Sequence, residues 1–170
     1  MRDNRFTPSV AQVAPGQRVA FTNFGQVAHD AVDRTGLDLF ATEVASPPDT
    51  VTIDPLPGAG RYAYYCTFHP EMRGRLDVPV TVNRGTVPRG VDVTVRWGVA
   101  RAPADLVFDV QRRRPGTTGF QPWRTGVEAA ATRWWPATSG TWAIRARVRN
   151  PQTADASAWS APRTLRVTPS

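Results

Sequence analysis

The sequence predicts an all-β protein built as two β-sandwiches in tandem, and three observations lead there. Short segments with period-2 alternation recur along the chain, 16 prolines and 13 glycines among the 170 residues punctuate them, and no apolar stripe of helical period interrupts the pattern. The 41% apolar content suffices for an ordinary core, whether in one large domain or two modest ones.

In chain order, "RVAFTN" (18–23) sets Val19 and Phe21 against Arg18, Ala20 and Thr22, the alternation of a half-buried strand, and Pro15-Gly16 before it marks a turn. "TVTI" (50–53) is a second strand, closed by the turn-rich "DPLPGAG". "GRYAYYC" (60–66) places Tyr62, Tyr64 and Cys66 on one face and Arg61, Ala63 and Tyr65 on the other, so a core that takes the tyrosines also takes the sulfur. "RLDVPVTV" (75–82) supplies the last strand of the first half. Glycine, proline and charge then break the pattern in "NRGTVPRG", which sets the expected division: a first domain over 1–82, a linker over 83–90 and a second domain over 91–170. Beyond the linker, "VDVTVRW", "LVFDVQRR", "TWAIRARVRN" and "RTLRVT" alternate at sandwich-like spacing, with no repeat between the halves.

The halves differ in charge. Residues 1–82 carry a net −2 and residues 83–170 a net +9, and every basic residue is arginine. A solvated Arg-rich surface accounts for this, as does an anionic partner such as a cell-surface polymer. No recognition helix or RNA-binding aromatic motif accompanies the charge, so a nucleic-acid partner is not expected. No apolar run approaches the roughly 18 residues of a membrane span, and "MRDNRFTPSV" has no apolar stretch of signal-peptide type. The single cysteine excludes an intramolecular disulfide.

The chemistry concentrates in "YYCTFHPEM" (64–72). The chain has two histidines, His29 and His69, one cysteine, Cys66, and, Met1 aside, one methionine, Met72; all four lie in the first half. A thiolate and two imidazoles around one ion, with a weak axial thioether, is the donor set of an electron-transfer copper site. Cu(I) favours soft sulfur and Cu(II) favours nitrogen, so a fixed intermediate cage lets an electron enter or leave with little movement. No catalytic residue is expected. Taken singly, a buried cysteine, a structural histidine and a core methionine are ordinary; their CxxHxxM spacing after an aromatic strand is what points to a metal.

The stretch from "RFTPSVAQVAPGQRVAFTN" through "VAHD" to "GRYAYYCTFHPEMRGRLDV" resembles the cupredoxins, the plastocyanin, amicyanin and azurin group of blue copper proteins, over about residues 5–80. The two-residue gap between His69 and Met72 is most similar to amicyanins. The resemblance implies a Greek-key β-sandwich holding one type 1 copper ion, Cu(I)/Cu(II), on His29, Cys66, His69 and Met72. It implies an electron carrier that lies in the cell envelope or outside the cell. It also implies a redox partner docking near His69, framed by Phe68, Pro70, Phe24 and Val27, with Tyr65 offering a second, longer electron route or simply covering the sheet. Asp30 stands where many relatives have Asn, which leaves the brace between the ligand loops open.

The second half resembles a fibronectin type III domain, an immunoglobulin-like sandwich, with Trp97 as its early core tryptophan. Trp142 stands at the place of the corner tyrosine, where a hydroxyl bond must be lost or replaced. Arg145, Arg147 and Arg149, with Trp159 in "SAWS", are similar to the arginine and tryptophan ladder of cytokine-receptor modules. Other readings of the whole chain are copper storage or delivery, and a cell-surface adhesion or scaffold module without redox traffic. Two histidines cannot also furnish a multicopper oxidase cluster.

Overall fold

A computed structural model of the chain describes residues 1–169, and among them the fold is all-β. The strands are β1 (Val10–Gln12), β2 (Val19–Thr22), β3 (Val32–Asp33), β4 (Thr50–Ile53), β5 (Gly60–Tyr65), β6 (Arg73–Val78), β7 (Thr81–Val82), β8 (Thr86–Pro88), β9 (Val93–Arg96), β10 (Val107–Arg113), β11 (Gln121–Val127), β12 (Ala131–Trp134), β13 (Gly140–Arg149) and β14 (Arg163–Thr168). No helix among the described residues is long and apolar enough to cross a membrane.

In the first half, one sheet runs β1-β6-β5-β3, with β1 parallel to β6 and the other pairs antiparallel. β2 and β4 form an antiparallel pair as a second sheet. The inward alternation expected of β5 holds: Tyr62, Tyr64 and Cys66 are all buried, while Ala63 is exposed. Phe6, Phe21 and Phe40 surround the Tyr64 ring with centroids 4.6, 5.4 and 6.3 Å away. Burial of that ring pushes the Tyr64 phenol up to about 12.

The second half packs a five-stranded sheet, β11-β10-β13-β14-β8, against a three-stranded sheet, β12-β9-β7. Two segments part from the expected division. Proline 79 breaks "RLDVPVTV" into two strands: β6 stays in the first sheet, and β7 pairs instead with β9. The stretch read as a linker contains β8, which pairs in parallel with β14 at the edge of the five-stranded sheet, the position where Pro88 costs no ladder bond.

The halves also touch directly through backbone. The Ala59 N–H donates to the Trp97 carbonyl (2.6 Å), Val99 N–H to the Pro57 carbonyl (3.1 Å), and Arg61 and Ala158 exchange a pair of bonds (2.9 and 3.1 Å). Gly58 sits at this junction; a Cβ there would come within 2.5 Å of the Trp97 carbonyl oxygen and 2.6 Å of the Phe108 ring. Trp97 is buried as expected, its indole N–H donating to the Ala129 carbonyl (2.7 Å).

Candidate metal centre

Cys66 leaves the end of β5 with its sulfur directed inward, and the loop from Cys66 to Met72 closes on itself. The Cys66 N–H donates to the Met72 carbonyl (3.0 Å) and the Met72 N–H to the His69 carbonyl (2.8 Å), which fixes the three residues relative to one another. His29 comes from a separate loop and is pinned by an antiparallel bridge: its N–H donates to the Ala45 carbonyl (3.1 Å), and the Ala45 N–H donates back (2.8 Å). Asn23, fully buried at the end of β2, braces this loop. Its amide donates to the carbonyls of Val27 and Ala45, both at 2.8 Å, and its oxygen accepts from the Gly25 N–H (2.9 Å).

These two loops bring three expected ligands together. The Cys66 sulfur lies 3.7 Å from His29 Nδ1 and 3.6 Å from His69 Nδ1, the two rings are 4.9 Å apart between centroids, and the donor atoms all fall within 4.8 Å of one another. A metal about 2.3 Å from a thiolate and about 2.0 Å from an imidazole nitrogen, with angles between tetrahedral and trigonal, demands S···N edges of roughly 3.5–3.7 Å. The observed edges meet that demand, so the residues present fit a metal ion. Met72 is buried at the loop's end with a 1% exposed side chain.

Burial pushes the Cys66 thiol up and the His29 imidazole down, so each favours its neutral form. His29 Nε2 is buried and makes no hydrogen bond; Asp3 Oδ1 lies just beyond reach at 3.6 Å. Asp3 itself is tied to the His29 loop, accepting from the N–H groups of Gln26 (2.7 Å) and Val27 (3.4 Å), and the first of these holds its carboxyl below the usual range.

Asp30 answers the question raised by its departure from Asn. Its two carboxylate oxygens accept from the N–H (2.7 Å) and hydroxyl (2.5 Å) of Thr67, tying the loop of His29 to the loop of Cys66. Sequence reasoning named Asp30 but not Asp3 or the multiple bonds of Asn23. Neither carries a periodic signal, since each acts through backbone groups of a loop.

Around the site, Phe24 (67%), Phe68 (54%) and Val27 (45%) are exposed as expected, and Val44 (51%), next to the Ala45 bridge, joins them. His69 is half-buried and Pro70 exposed, whereas His29 is fully buried. Tyr65 is half-buried on the face opposite Cys66.

No protein-family model matches the chain, and no curated protein does. Among solved structures, a purple cupredoxin from Nitrosopumilus maritimus is similar at 27% identity, covering 42% of this chain and 79% of its own, with a TM-score of 0.38. A reduced amicyanin mutant is similar at 25% identity, covering 45% and 74%, with a TM-score of 0.40. An oxidised amicyanin mutant stands at 22%, with the same coverage and a TM-score of 0.41. Each similarity spans less than half of this chain, and the metal site stands on its own geometry.

Proposed function

We propose that this protein binds one copper ion on Cys66, His29, His69 and Met72 and passes single electrons between partner proteins outside the cytoplasm. The convergence of one sulfur and two imidazole nitrogens at 3.6–3.7 Å supports this reading more than any other observation. Copper, when bound there, would supply a one-electron Cu(I)/Cu(II) couple in a mixed soft and nitrogen donor set.

The chain's own residues do the rest. Cys66 would hold the ion as a thiolate once its thiol proton passes to solvent, and His29 and His69 would hold it through neutral nitrogens. The Asp30–Thr67 tie holds the two loops together and the Asn23 bonds stiffen the His29 loop, which would limit reorganisation when the charge at the site changes. Met72, buried at the end of the same loop, would offer a thioether sulfur as a weaker donor. His69 is the ligand nearest solvent, and the exposed Phe24, Val27, Val44 and Phe68 give a partner an apolar surface around it.

The test is reversible redox cycling of the copper-loaded full chain. One-electron reduction should bleach the thiolate-to-copper charge-transfer band and reoxidation should restore it over repeated cycles. Stoichiometric copper uptake without reversible cycling would replace this reading with storage or delivery.

A further inference from the structure

The second half contains two sets of arginines stacked on aromatic rings, and they differ in what their donors meet. On the outward face of the five-stranded sheet, Arg145 lies over Phe120 (4.1 Å) and Trp159 (4.9 Å), and Arg147 over Trp159 (4.8 Å). Each has an acceptor within the fold: Arg145 donates twice to the Gln111 side-chain oxygen (2.9 and 2.7 Å), and Arg147 pairs with the Asp109 carboxylate (3.0 Å).

Arg112 points the other way and sits among three indoles, 5.1 Å from the Trp123 ring and 5.3 Å from those of Trp134 and Trp142. No carboxylate or carbonyl among the described residues accepts from its guanidinium, and none of its nitrogens is both sealed from solvent and unsatisfied. Its free donors therefore reach a cavity of about 260 Å³ lined by Arg112, Arg114, Trp134, Trp135, Thr138 and Trp142, with no acidic residue in the lining.

We propose that this cavity binds a uronate unit of an acidic polysaccharide. A guanidinium with unspent N–H groups takes a planar carboxylate through two parallel bonds, and the exposed Arg114 adds a second positive charge at the rim. Flat indole faces cover the C–H face of a sugar ring, and Trp135 is 55% exposed, with the Arg133 guanidinium over its ring at 5.3 Å. The Thr138 hydroxyl can serve a ring hydroxyl. The volume is below that of a typical drug-sized pocket, which suits one sugar unit of a longer chain. The net +9 of residues 83–170 draws a polyanion to this half. The site shares no residue with the metal centre.

The test measures binding of the full chain to polygalacturonate, neutral dextran and dextran sulfate by tryptophan fluorescence and calorimetry, at about physiological salt, where diffuse attraction is screened. Polygalacturonate should bind and quench fluorescence, and dextran should not bind. Arg114→Gln and Trp135→Ala, both at exposed positions, should each weaken binding about tenfold. Arg163→Gln with Arg166→Gln, both exposed on β14, should change it less than about twofold, and Cys66→Ser should leave it unchanged. Absent binding, equal binding of dextran, tighter binding of dextran sulfate, or equal losses in the Arg163/Arg166 variant would each overturn the proposal. Cys66→Ser keeps this outcome separate from that of the copper reading.

Discussion

The loops around Cys66 and the sheet face around Asp109 both bury polar groups, yet they finish the task differently. Asp109 accepts from Arg149 Nε (2.8 Å) and Nη2 (3.2 Å), Arg147 Nε (3.1 Å) and the Gly126 N–H (3.0 Å), so its charge is fully answered within the fold. At the other site the Cys66 sulfur and the Nδ1 atoms of two imidazoles converge at 3.6–3.7 Å, while the Asp3 carboxylate faces the far nitrogen of the His29 ring at 3.6 Å. A carboxylate whose bonds are met within the fold marks structure; a sulfur and two imidazole nitrogens at the edge lengths of a metal polyhedron mark a ligand site.

The sharpest way to break that contrast is to damage each side separately. Asp109→Ala leaves Arg147 and Arg149, 31% and 20% exposed, without their acceptor. It should destabilise the protein by about 2–4 kcal/mol in a denaturant titration while leaving copper affinity unchanged. Asp30→Ala cuts the tie to Thr67 and should do the reverse, lowering copper affinity about 10–100-fold with a smaller loss of stability. If Asp109→Ala weakened copper binding as much as Asp30→Ala, the division between a structural and a ligand-holding cluster would not stand.

Acid sharpens the same contrast. Burial acts to raise the Asp109 carboxyl, but Arg149, the Gly126 N–H and Arg147 outweigh it and hold it below the usual carboxylate range. A depressed folded-state value means its stabilisation is fully present above the unfolded value of about 3.9 and fades as pH falls toward the folded one. The stability gap between the native chain and Asp109→Asn should therefore be constant near neutrality and narrow below about pH 4. A smaller effect belongs to Arg145→Gln, which removes stacking on Phe120 and Trp159 and should cost about 1 kcal/mol.

The convergence of Cys66 and His69 was the most legible part of the sequence, because the two sit three residues apart on one loop and the inward face of β5 follows from alternation alone. His29 could be named because the chain offers only one other imidazole. What positions His29 was not legible: Asp3 and Asn23 work through backbone groups, which leave no residue pattern. The strand β11 escaped notice because it is mostly exposed and broken by Pro122 and Gly126, and β12 because its four residues are too few to show an alternation. The ladder expected of Arg145, Arg147, Arg149 and Trp159 is only partly formed. Arg149 turns to Asp109 rather than to Trp159, and Phe120, which has no place in a linear motif, takes a rung beside Arg145. The Trp142 indole N–H donates to the Thr138 carbonyl at 3.0 Å, a local bond four residues back along the chain.

The most direct measurement is a Cu(II) titration of the purified chain followed by visible absorption. An intense band from thiolate-to-copper charge transfer should saturate at one equivalent and vanish in Cys66→Ser. Copper bound equally well by Cys66→Ser, or bound by the native chain with no such band, would contradict the claim that these side chains share one ion.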